Sequence, residues 1–255
     1  MKKYFNIAFL VLITYLNFSC TKKNDSNPEV TGQLYFHLHT NIDDSEVDDY
    51  NSVIQSASGR KISLSLAQLY ISNIELVKLD GSVYFVTDKV ILKDFENEAY
   101  FIGNVPAGNY KSVQFSVGIN SAVNAKTPVS TDTVFYRPEM WFGNTTQPQG
   151  YAFLNVQGKI DTTKKANGSV AQLQPFTYKI GTTANLVNVT LPEQNFTVLP
   201  NQQEYVHLII NYFKIFDGID LSKASNLSVQ SPTDNSSAIA KQIVKNISNL
   251  FTYEQ

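Results

Sequence analysis

Three histidines stand in the chain: His37, His39 and His207. The first two are two positions apart. On a β-strand both rings leave the same face, with about 7 Å between their Cα atoms. That spacing suits two imidazole ligands of one soft or borderline metal ion. A third donor can come from His207 or from the thioether of Met140, one of two methionines. The alternative for His37 and His39 is a pair of solvated rings on an outward face. For His207, set among Tyr205, Val206, Leu208 and Ile209, it is a partly buried structural histidine. Trp141 is the only tryptophan and stands just before a turn-rich loop, residues 143–150. It can contact a ligand or be oxidised by a partner, or it can anchor packing, as lone tryptophans usually do. Cys20 is the only cysteine, which rules out an internal disulfide.

Other chemistries lack their residues. There is no Gly-x-Ser-x-Gly nucleophile elbow, no phosphate-loop lysine after residues 58–59 or 104–108, and no Cys-x-x-Cys for thiolate metal sites or haem. The acidic stretch 41–49 lacks the ligand spacing of a calcium-binding loop and reads as a solvated turn. Lys164 and Lys165 read as a solvated loop tip. Formal net charge is −2, and loss of residues 1–19 would remove Lys2 and Lys3 and no acid, leaving −4. That balance argues against a nucleic-acid partner, which needs a basic patch. The expected function is binding, not catalysis.

The N-terminus carries an address. Lys2 and Lys3 precede an apolar core at residues 5–16, of signal-peptide length and too short for a stable span. Leu16 and Ser19 before Cys20 fit a relaxed bacterial lipobox. Residues 1–19 are then a lipoprotein signal peptide and Cys20 carries lipid, a stable anchor when several acyl chains share one residue. Thr21 after Cys20 leans towards the outer membrane, facing the periplasm or the cell surface. Residues 20–30 read as a lipidated tether.

The elements that must position the histidines are strands. With 43% hydrophobic residues, 16 Phe and 14 Tyr, the 255-residue chain can build a large β core. In residues 33–39, Leu34, Phe36 and Leu38 share one face and Tyr35, His37 and His39 the other. Residues 60–79 alternate over a long strand that meets the Asp80-Gly81 hairpin turn, and residues 82–87 return. Further strands are expected at 90–95, 111–118, 151–156, 174–181, 184–191 and 204–213. Residues 217–221 would end the β region. Residues 236–251 carry Ile239, Ile243, Val244, Ile247, Leu250 and Phe251 at helical spacing. This pattern predicts an all-β fold, an antiparallel β-sandwich of Ig-like or Greek-key type at residues 31–221, with a C-terminal extension at 222–255 bearing an amphipathic helix.

Four pieces in order resemble the MbnP-like domain family, named after a methanobactin-associated copper-binding protein. They are Tyr70-Ile71-Ser72-Asn73-Ile74-Glu75-Leu76 with Asp80-Gly81; Val105 to Tyr110 leading into the strand that ends at Gly118 and Asn120; Met140-Trp141 with Gly150-Tyr151-Ala152-Phe153-Leu154 and Gln157-Gly158; and Lys179-Ile180-Gly181. The resemblance implies an outer-membrane binding lipoprotein with copper as cofactor, beside a dihaem peroxidase-like partner that oxidises a tryptophan. Two departures stand out. The family loop usually carries two tryptophans, where Trp141-Phe142-Gly143 keeps one, and Lys179 stands where the family often has His. The alternative is a metal-free structural or surface-interaction lipoprotein, with carbohydrate binding as one form of it.

Overall fold

The computed structural model describes residues 30–143 and 148–254. The expected signal peptide, Cys20 and most of the tether lie outside the described residues, as does the middle of the loop after Trp141.

Two sheets pack face to face. The smaller has β1 (Thr31–Ile42) at its centre, flanked by β3 (Ala99–Pro106) on one side and β7 (Gln203–Asn211) on the other, with β8 (Phe251–Tyr253) outside β7. The larger is built on β2 (Lys61–Lys78), between β4 (Gly108–Val117) and β5 (Pro148–Ile160). It extends through β6 (Gln174–Gly181) to Ser228–Val229 at one end and to Val187–Thr190 at the other. Alternation explains the faces. Leu34, Phe36 and Leu38 of β1 are fully buried, as are Leu208 and Ile210 of β7, each such side chain contributing about 1.5–3 kcal/mol. Phe36, Phe115 and Phe251 join the sheets, with ring centroids 6.3 and 4.9 Å apart. The alternate residues Tyr35, His37 and His39 point away from this core, as expected.

The Asp80-Gly81 hairpin forms as predicted. Gly81 takes φ +87°, and the Asp80 carboxylate accepts from the Ser82 N–H at 2.9 Å.

Three expectations are corrected. The sheets are mixed, not purely antiparallel: β1 runs parallel to β7 over Gln33–Asn41 and Gln203–Asn211. A parallel pair needs a long connection, and here most of the domain is that connection. Second, β3 is a strand absent from the expected set. Its apolar run Tyr100-Phe101-Ile102 is cut by Gly103-Asn104, and its pairing with β1 shifts register between Leu34 and Tyr35. Third, the β region does not end at residue 221. Helix α1 (Ala238–Ile247), with Ser237 accepting from the Ala240 N–H as N-cap, stops at Ile247. The chain then returns as β8, antiparallel to β7, with Ile210 opposite Phe251. Residues 222–254 therefore contribute to the same core as the rest, through Ile243, Ile247 and Phe251.

Candidate metal centre

The parallel register of β1 and β7 sets His37 directly opposite His207 on the outward face of the smaller sheet. His39 follows two residues along. The three ring centroids are 4.4 Å (His37–His39), 4.7 Å (His37–His207) and 6.2 Å (His39–His207) apart. One nitrogen from each ring lies within 4.8 Å of the other two.

Each ring is oriented by a carboxylate. Glu46 Oε1 lies 2.6 Å from His39 Nδ1, which places the proton on Nδ1 and leaves the lone pair on Nε2. That Nε2 is buried and makes no hydrogen bond; Glu254 Oε2 lies 3.4 Å from it. Glu98 Oε2 is 3.3 Å from His37 Nε2, which turns His37 Nδ1 towards His207 Nδ1, 3.1 Å away. Two nitrogens on a tetrahedral ion with bonds of about 2.0 Å sit about 3.3 Å apart. A carboxylate on the outer ring nitrogen and a free inner lone pair is the usual arrangement of metal-bound histidine. That His39 Nε2 makes no hydrogen bond is the observation that fits a cation, since a buried nitrogen without one costs about 1–3 kcal/mol.

Charge and burial agree. Side-chain exposure is 13% for His39, 23% for His37 and 46% for His207. Lys93, 1% exposed, donates its Nζ to Asp94 O and to Asn97 O, the latter at 3.1 Å. It thereby pins the short turn that presents Glu98. Burial pushes the Lys93 ammonium down to about 8, against the pull of Asp94, Glu98 and Glu46. Burial, then the neighbouring His39 and His207 rings, hold the His37 imidazolium below its ordinary value, against Glu98 and Glu254.

The sign of the resulting pH effect follows. As pH falls through 6.5, the unfolded chain takes up a proton at position 37 before the folded one, so stability drops on acidification and is complete above that range. Thermal unfolding of the metal-free protein is expected to show a lower midpoint at pH 5 than at pH 7, with the difference reduced in His37→Asn. An unchanged difference in that variant would contradict the assignment.

A family model described as MbnP matches residues 31–233. The chain belongs to the MbnP family. Among solved structures, MbnP from Methylosinus trichosporium superposes with a TM-score of 0.55 at 17% identity, covering 81% of this chain and 86% of that one. At this identity the likeness shows a shared fold. No curated protein matches.

Of the residues singled out by sequence in this MbnP-family chain, the structure brings together His37, His39 and His207 and leaves Met140 and Trp141 apart. His207 is exposed, not partly buried. Met140 is fully buried in a second cluster with Tyr70, Trp141, Tyr151 and Phe153, so it is no third donor to the histidines. Trp141 is 2% exposed. Its Nε1–H donates to Phe135 O at 2.9 Å, and the Tyr136 ring packs edge-on with centroids 5.2 Å apart. This is the packing role. Lys179 donates to Trp141 O at 2.6 Å from the larger sheet. Glu46, Glu98 and Glu254 were missed. Glu46 sits in the stretch read as a solvated turn, and all three reach the site only through strand pairing.

Proposed function

We propose that this MbnP-family chain is a non-enzymatic copper-binding protein whose ion is held by His37, His39 and His207. The buried His39 Nε2, which makes no hydrogen bond, beside two further imidazoles carries the reading. Imidazole donors suit copper among the borderline metals, and the family resemblance selects it from that group. Glu46 and Glu98 hold the rings so that the inner lone pairs face one another. Burial of His37 favours its neutral, ligating form near neutral pH.

The lipid anchor at Cys20 and the outer-membrane address belong to the same proposal, supported by the leader alone. Incorporation of a labelled fatty acid, lost in Cys20→Ser, tests them. A dihaem peroxidase-like partner is supported only by the resemblance. The burial of Trp141 speaks against its oxidation.

Competition titration of the purified protein with copper is the test. One equivalent bound more tightly than micromolar is expected. Weaker binding, or tight binding that persists when all three histidines are replaced by alanine, would favour the metal-free surface lipoprotein.

A further inference from the structure

We infer that Glu254 is the fourth donor of this site and the group that makes it prefer the divalent ion; the inference rests on the copper reading above. Three contacts place the carboxylate. β8 adds to the edge of β7, with Tyr253 opposite Leu208. Tyr253 is fixed across the core, because the Val113 N–H of the larger sheet donates to its hydroxyl oxygen at 3.2 Å. The next N–H, that of Glu254, donates to His207 O at 3.1 Å. The chain is thus held beside the histidine on β7.

From there Glu254 Oε2 lies 3.1 Å from His207 Nδ1 and 3.4 Å from His39 Nε2. Both values, with the 3.1 Å between His37 Nδ1 and His207 Nδ1, fall between the roughly 2.8 Å of cis donors and the roughly 4.0 Å of trans donors on one tetragonal ion with bonds of about 2.0 Å. The other two carboxylates are committed elsewhere. Glu46 meets the outer nitrogen of His39, and Glu98 the outer nitrogen of His37. Glu254 meets the inner nitrogen of His39, the one without a hydrogen bond.

The donor chemistry decides the oxidation state. A carboxylate oxygen is a hard, charged donor; with imidazoles it suits Cu(II), whereas Cu(I) favours thiolate and thioether sulfur. Among the described residues the only sulfur is that of Met140, buried in the other cluster. A groove of about 380 Å³, lined in part by Phe196, Tyr205, His207, Tyr253 and Glu254, opens beside the site.

The experiment compares wild type with Glu254→Gln, with Glu254→Asp as a shorter carboxylate. Cu(II) and Cu(I) affinities are measured by chelator competition, and the Cu(II) complexes by electron paramagnetic resonance. Glu254→Gln is expected to weaken Cu(II) by at least about 10–100-fold and to change the copper hyperfine splitting. Cu(I) affinity should fall less than Cu(II) affinity, the metal-free protein should remain folded, and Glu254→Asp should fall between. Wild-type Cu(II) affinity and an unchanged spectrum in Glu254→Gln would overturn the role of Glu254 and leave the copper reading intact. Absence of copper binding by the wild type would overturn both.

Discussion

His39→Ala is expected to weaken copper binding by more than about 100-fold while leaving the fold in place. Loss of an outer partner of a metal ligand typically costs about 10–100-fold in affinity, and His39 is proposed as a ligand. It is the least exposed of the three rings, and its inner nitrogen is the one the protein leaves without a hydrogen bond. It stands on the outward face of β1, away from Leu34, Phe36 and Leu38, so its removal opens no cavity in the core. His207→Ala, at the most exposed ring, should cost less. Chelator competition gives the affinities, and circular dichroism melts of the metal-free proteins report the fold. Copper affinity in His39→Ala close to that of wild type would remove this residue from the site.

Gly158→Ala is expected to destabilise the protein by about 3 kcal/mol or more, at the upper end of overpacking in a tight core. A Cβ built at residue 158 would lie 2.0 Å from Ser63 O, a backbone atom, and 3.0 Å from the Phe176 ring. The strand that would have to move is β5, paired with β2 and β6 on its two sides, and its pairing with β2 already shifts register between Gln157 and Gly158. Gly81→Ala gives the contrast. No atom lies within 4 Å of the added Cβ there, and only the φ of +87° opposes it, a cost of about 1 kcal/mol. Urea unfolding separates the two. Copper binding by the folded fraction of Gly158→Ala should match wild type, because the histidines belong to the other sheet. Equal unfolding midpoints for Gly158→Ala and wild type would show that β5 and β2 can part cheaply.

What could be read from the sequence was local. Alternation in residues 33–39 places three apolar residues inward and Tyr35, His37 and His39 outward, and β1 shows that split. Asp80-Gly81 marks its own turn. The pairing of His37 with His207 could not be read this way, because it depends on two parallel strands 170 residues apart. Nor could Glu46, Glu98 and Glu254, which lie in three separate segments and meet only around β1 and β7. The C-terminus misled for a related reason. Leu250 and Phe251 continue the helical spacing of Ile243 and Ile247, yet α1 ends at Ile247 and Phe251 opens β8. An apolar residue every three or four positions also fits a helix end followed by a strand, and only the free edge of β7 distinguishes them. Met140 beside Trp141 offered a soft donor in sequence, while packing committed both to the tryptophan-loop cluster.

The proposed site holds one copper ion through the three histidines and no sulfur. X-ray absorption at the copper edge, on the one-to-one complex, tests it most directly. The account predicts nitrogen and oxygen scatterers at about 2.0 Å, with the outer-shell multiple scattering of three imidazoles. A sulfur scatterer at about 2.3 Å, or a spectrum that needs fewer than two imidazoles, would contradict it.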